Sequence, residues 1–340
     1  MVRQNEAHCA AKIFGRGVGA EPFPWRVRRV GVKARELLSA PGFFGRVLAV
    51  LSATAYLSGS GGEILWMARE GLPAHRRCIL TAFEPRSICA GQSFFVQGSG
   101  LRIGEEVAID LDQAEEWEPP AIWPDQAEPL PSVNAGFRRL LAAIPVPGGE
   151  EGLGQAILLV SAIADGEGLP TFPAGSLVAR ALSPLLGLAR ACLVQDLAQV
   201  VRRGRELVGL GSGLTPSGDD FLGGLLFAVH FLKIAYPGDF PGHQEPIVDL
   251  IDWAGTQTHP ISHTILGDLA LGHGPEPLHD VITALLTGED LSRPTVGVAR
   301  LVEIGHNSGW DILAGLLTGM LLVEGKIKSK NQNPSNSLAL

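Results

Sequence analysis

GLGSGLTPSGDDFLGG, Gly209 to Gly224, sets six glycines and two adjacent aspartates directly ahead of a long apolar run. Turn residues followed by a continuous apolar segment read as a loop feeding a buried helix. Two phosphate-binding loops can be tested against it. A dinucleotide fingerprint needs G-x-G-x-x-G, but counting from Gly209 the sixth position is Leu214, and from Gly211 it is Pro216. Gly213 to Gly218 satisfies the G-x-x-x-x-G of a P-loop, yet Asp219 and Asp220 stand where Lys and Ser/Thr are required. Neither mechanism fits. Local capping accounts for part of the stretch. Ser217-Gly-Asp-Asp220 matches a capping box, or Thr215 caps with Pro216 in the first helical turn. Capping leaves Asp219 and the glycines at 209, 211, 213 and 218 without a reason.

A second stretch, GHNSGWDILAGLLTGM from Gly305 to Met320, repeats the design. Ser217, Gly218, Asp220, Leu222, Gly224, Leu225 and Leu226 recur as Ser308, Gly309, Asp311, Leu313, Gly315, Leu316 and Leu317. That is seven identities in ten positions, where composition would give roughly one. The spacing predicts two helices of one design, with a shared glycine one turn in that lets their backbones pack closely and sets both N-termini side by side. Paired N-termini offer converging N–H groups and two positive dipole ends to an anion. Asp219, Asp220 and Asp311 could instead hold a Mg²⁺ that bridges to that anion, and His306, just ahead of the second helix, could supply a donor or a proton. Two plain structural caps remain the competing reading.

Between the two stretches, THPISHTILGDLALGHG places Thr258 and Ser262 where hydroxyls can line a polar pocket, although Thr258 could simply cap a helix begun by Pro260. His259 and His263 have the spacing of two zinc ligands, but Pro260 intervenes and the H-E-x-x-H glutamate is missing. Arg202, Arg203 and Arg205 could bind an anion, or form the solvated last turn of a helix. With Cys192 on an apolar stripe and no G-x-S-x-G elbow, covalent catalysis is not indicated.

Working outward, the chain has 340 residues, 46% of them apolar and 18% charged, which is globular composition. A formal charge of -8 excludes a broad nucleic-acid footprint. The apolar runs are too short to span a membrane, and four scattered cysteines point to a reducing compartment, so the chain is expected to be cytoplasmic. Residues 1–45 read as a partly ordered basic leader carrying Arg16, Arg26, Arg28, Arg29, Lys33 and Arg35. Residues 46–165 read as a β-rich domain of short apolar runs between Gly and Pro signals, with a Pro-rich segment at 118–147, one short helix through Val133 to Ala143, and a last strand at Gln155 to Ile163. After that the period becomes helical, with a start at Ser183-Pro184, and residues 166–325 form a helical domain carrying the motifs; 326–340 is a disordered tail. The fold class is α+β.

On GLGSGLTPSGDDFLGG and GHNSGWDILAGLL the sequence resembles a bacterial family classed as a domain of unknown function, which includes the AllH-type subunit of the oxamate carbamoyltransferase of allantoin degradation. The resemblance implies a part in moving a carbamoyl group between phosphate and the amide of oxamate, together with larger partner subunits. The motif positions it carries over are Gly211, Gly213, Thr215, Pro216, Ser217, Gly218, Asp219 and Asp220, then His306, Ser308, Gly309 and Asp311. Asn307 replaces a serine frequent in the family, and the S-T-R-T loop of aspartate and ornithine carbamoyltransferases does not occur here. Departing phosphate would then be stabilised by helix N-termini and a Mg²⁺ rather than by that loop. The other functional readings are a non-catalytic subunit that binds a small anionic metabolite or a partner, and a small-molecule phosphotransferase.

Overall fold

The computed structural model describes residues 25–332 except 83, 85, 86, 106, 146–150, 242–244 and 289–291. The chain divides into two units, Met1–Pro119 and Pro120–Leu340. The first is built of strands and the second almost wholly of helices, as the α+β reading expects.

The first unit runs β1 (Trp25–Gly31), α1 (Val32–Ser39), β2 (Phe44–Val50), β3 (Thr54–Gly59), β4 (Ile64–Arg69), β5 (Cys78–Thr81), β6 (Ser93–Gln97), β7 (Gly100–Ile103), β8 (Val107–Asp110) and β9 (Glu115–Trp117). The sheet order is β5-β4-β3-β2-β6-β7-β8-β1-β9, and an added β1–β5 pairing closes it on itself. Closure removes the unpaired edges that an open sheet would expose. Alternation along β3 and β7 fills the interior: Ala55 and Leu57 of β3 and Leu101 and Ile103 of β7 are buried.

β1 corrects the reading of residues 1–45 as a leader. Within WRVRRVG, Val27 and Val30 are buried while Arg26 and Arg28 stay exposed, so the basic residues mark the outer face of a strand. That strand pairs with β5, β8 and β9 and completes the closure. Residues 1–24 lie outside the described residues.

The second unit contains α2 (Leu130–Ala143), α3 (Ile157–Asp165), α4 (Leu177–Arg180), α5 (Leu182–Leu193), α6 (Leu197–Gly204), α7 (Ser217–Ala235), α8 (Glu245–Ala254), α9 (Pro260–Ala270), α10 (Glu276–Thr287), α11 (Ser292–Leu301) and α12 (Ser308–Gln332). The short helix expected at 133–143 begins earlier, at Leu130, and α5 starts one residue ahead of Ser183. The strand expected at Gln155 to Ile163 is instead a 3-10 turn followed by α3, which ends at Gly166 in the left-handed region with φ 71°. The helical unit therefore begins well before residue 166. The tail reading at 326–340 also changes, since Lys326 to Gln332 continue α12 and only 333–340 lie outside the described residues.

From Ser217 to Val229, α7 is buried on every side, the pattern of a helix at the centre of a unit. α12 is its main partner, and the two meet backbone to backbone. A Cβ added at Gly224 would lie 2.0 Å from the Ile312 carbonyl oxygen, and one at Gly315 would lie 1.8 Å from that of Phe221. Phe221 and Ile312 are themselves equivalent in the repeat, so the crossing is reciprocal. α9 packs against α7, while α2, α3 and α5 pack against α12.

One ion network ties α12 to α2. Arg138 forks onto Glu324, Nε to Oε2 at 3.1 Å and Nη2 to Oε1 at 2.7 Å, and Lys328 Nζ stands 3.1 Å from Oε1. Burial pushes the Glu324 carboxyl up, but Arg138, Asn134 and Lys328 outweigh it and hold it down at about 2. A depressed carboxyl contributes stability above its unfolded value of 4.5 and loses it as pH falls toward about 2. Glu324→Gln is expected to cost about 2 kcal/mol at pH 7. The gap between wild-type and variant melting temperatures should close between those two pH values when thermal unfolding is followed on acidification.

Candidate functional site

Each repeated helix begins in the same way. Ahead of α7, Gly211 takes φ 120° and the Gly218 N–H donates to the Leu210 carbonyl at 2.8 Å. Ahead of α12, Gly305 takes φ 64° and the Gly309 N–H donates to the Ile304 carbonyl at 3.0 Å. A Cβ at Gly218 would sit 1.9 Å from the Leu207 oxygen, and one at Gly309 would sit 1.9 Å from the Leu301 oxygen. Both glycines are therefore required by close passage of the preceding helix end. The first loop differs by three extra residues, within which Ser212 and Gly213 are exposed.

The capping expectations do not hold at α7. Pro216 occupies the N-cap position without a side-chain cap bond, and Ser217 is already helical. The hydroxyls turn toward the other helix instead. Thr215 Oγ1 and Ser308 Oγ are 3.0 Å apart. Ser308 bears on the carboxyl of Asp220, and Ser217 bears on that of Asp311. This crosswise arrangement brings Thr215, Ser217, Asp220, Ser308 and Asp311 together at the two helix starts.

Burial raises the Asp220 carboxyl well above its usual range; the neighbouring Asp311 and Asp219 charges add to the rise, while the Ser308 and Thr215 hydroxyls oppose it. Burial likewise pushes Asp311 up to about 6 against the pull of Ser217 and of the Leu153 and Gly154 N–H groups. The Leu153 N–H donates to Asp311 Oδ1 at 2.6 Å, and a Cβ at Gly152 would meet that oxygen at 2.8 Å. Asp220 Oδ2 and Asp311 Oδ2 are buried with no hydrogen-bond partner.

Asp219, the carboxylate that capping leaves unexplained, turns away from this pair. The Gly209 N–H donates to its Oδ1 at 2.7 Å. Ser262 donates to Oδ2 at 2.6 Å, and Thr258 donates to the same oxygen. Asp219 thus latches the glycine loop and the start of α9 onto α7. Its counterpart Trp310 lines an apolar groove with Leu140, Ile144, Val298 and Val302, which explains why this position alone in the first turn departs from the repeat in chemical type.

Thr258 and Ser262 therefore reach the site region through Asp219. His306 does not join the buried cluster: it is 86% exposed, with Nε2 3.7 Å from Glu151. His259 accepts the Ile261 N–H at Nδ1, and His263 Nε2 pairs with the Ile251 carbonyl at 3.0 Å, so both rings serve local structure. Arg202 and Arg203 occupy the last turn of α6, and Arg205 lies over the Trp253 ring at 5.3 Å. Among the described residues no three His, Cys, Asp or Glu side chains come together as a metal centre, and no helix is long and apolar enough to cross a membrane. The reading from sequence missed Gly152, Leu153 and Gly154, whose only signal is the GLG of EEGLGQ.

Over residues 207–320, about a third of the chain, the sequence matches a family model described as oxamate carbamoyltransferase subunit AllH. The matched segment opens at Leu207, whose carbonyl Gly218 passes, and closes at Met320 within α12, so it contains both helix starts. No solved structure matches the chain.

Proposed function

We propose that this chain is a subunit of an oxamate carbamoyltransferase-like enzyme, and that the two helix starts form its anion site. The observation that carries the reading is the convergence of both motifs, Ser217 to Asp220 and Ser308 to Asp311, inside the segment similar to AllH. In the transfer, the amide nitrogen of oxamate bonds to the carbamoyl carbon and loses a proton while the carbon–oxygen bond to phosphate breaks. The protein's task is to hold and stabilise the leaving phosphate. The exposed loop suits that task. Gly211 and Gly213 have φ 120° and 98°, and among the described residues the N–H groups of Gly211, Ser212, Gly213 and Leu214 have no acceptor. Backbone donors of this kind, beside helix N-termini, bind phosphate.

The test is carbamoyl transfer from carbamoyl phosphate to oxamate by the chain together with its partner subunits. Gly213→Val is the diagnostic variant, because nothing lies within 4 Å of an added Cβ, while the positive φ is denied to valine. We expect kcat/KM to fall at least about tenfold, with a stability loss no larger than the roughly 1–3 kcal/mol that one strained backbone position costs. A reconstituted complex that makes no product, or a fully active variant, would remove the reading.

A second reading, a non-catalytic metabolite-binding or assembly subunit, is favoured by one observation. Asp219, Asp220 and Asp311 are at most 3% exposed, so the motif offers no solvent-facing carboxylate for acid–base work. It predicts that calorimetry detects oxamate or phosphate binding to the chain while every catalytic variant of interest maps to a partner.

A further inference from the structure

The pair formed by Asp220 and Asp311 poses an electrostatic problem of its own. Both carboxyls are buried, each has one oxygen without a partner, and the charged groups bearing on Asp220 are Asp311 and Asp219, both negative. A buried charge without a counter-ion is costly, and two of like sign more so. Ionised together, the two carboxylates carry more negative charge than the about half a positive charge that each helix N-terminus supplies, so burial disfavours their ionised forms until a cation neutralises them.

We propose that Asp220 Oδ2 and Asp311 Oδ2 hold a Mg²⁺ ion between the starts of α7 and α12, with hydroxyls of Ser217, Ser308 and Thr215 completing an all-oxygen donor set. Hard divalent cations prefer carboxylate and hydroxyl oxygens, and Mg²⁺ commonly uses just two carboxylates with its remaining positions left for water or phosphate. The choice of ligands follows from the occupied atoms. Asp219 is excluded because Gly209, Thr258 and Ser262 take both of its oxygens, and Asp311 Oδ1 is taken by Leu153. With the ion in place the two carboxylates are neutralised, and the positive dipole ends again face the loop. In this respect the inference rests on the anion reading above, but the ion can be sought without any anion.

Purified chain, stripped of metal, is melted with increasing Mg²⁺ alone, and binding is measured by calorimetry. At about a hundredfold excess over its dissociation constant, Mg²⁺ is expected to raise the melting temperature by about 5 °C. Asp220→Asn and Asp311→Asn should abolish that response, while melting at or above wild type without metal, because each keeps the shape and removes the cost of burying an ionisable carboxyl. A wild-type protein indifferent to Mg²⁺, or a response that survives both substitutions, overturns the assignment. Inorganic phosphate is then titrated with and without Mg²⁺. Phosphate binding that ignores the metal rejects the cation and keeps the anion reading, whereas Mg²⁺ binding without phosphate binding keeps the cation and rejects the anion.

Discussion

Gly315→Ala is expected to be the most damaging single-methyl substitution in the helical unit. The added carbon would lie 1.8 Å from the Phe221 carbonyl oxygen and 2.9 Å from the Leu225 nitrogen. Both are backbone atoms of the part of α7 that is buried on every side, so neither can swing aside, and α7 and α12 must part along the crossing. Overpacking costs about 1–3 kcal/mol where side chains can adjust. Here the loss should reach about 3 kcal/mol or more, even after a gain of about 1 kcal/mol from replacing a helical glycine. Gly136→Ala in α2 isolates that gain, since its nearest neighbour would be Leu285 Cδ2 at 3.9 Å; it should stabilise slightly. Gly224→Ala, facing Ile312 across the same crossing, should match Gly315→Ala. The double variant should lose less than the sum, because the first methyl already separates the helices. Chemical denaturation of the four proteins tests all of this, and a Gly315→Ala protein as stable as Gly136→Ala would refute the reciprocal contact.

That crossing was legible in the sequence because it is periodic. Ser, Gly, Asp and Gly recur at fixed offsets from Ser217 and Ser308, and a helix converts fixed offsets into a fixed face. Where the chain is not periodic, the partners were hidden. Nothing local to Asp311 points to Leu153, 158 residues away, and nothing local to Asp219 selects Thr258 and Ser262. Such bonds depend on which loop the fold brings past the helix start. Ile157 to Ile163 failed for another reason: a short apolar run, interrupted only by Ser161, suits a buried strand and a buried helix equally. Gly166, which closes α3 in the left-handed region, was the local sign that favoured the helix. In β1 the arginines dominated the composition, although Val27 and Val30 carried the strand's buried face.

Asp219 is where the two readings of the motif separate, and its substitutions are expected to give the second-largest loss. Asp219→Ala leaves the Gly209 N–H and the hydroxyls of Thr258 and Ser262 without their acceptor in a site 1% exposed. The hydroxyls can rotate toward other oxygens, whereas the Gly209 N–H is fixed by a backbone at φ 75°. Losing a charged acceptor of three donors should cost about 3 kcal/mol. Asp219→Asn retains a carbonyl oxygen for Gly209, and its amide can donate to hydroxyls that turn to accept, so about 1 kcal/mol should be lost. A latch further predicts that proteolysis within residues 209–216 speeds up in the order wild type, Asn, Ala, because the loop's hold on α7 passes through this side chain. Coupling between Asp219→Asn and Ser262→Ala in a double-mutant cycle should be about 1 kcal/mol. If Asp219→Ala melts with wild type and its loop resists protease equally, Asp219 is not a latch, and the carboxylate is free to act on a ligand instead.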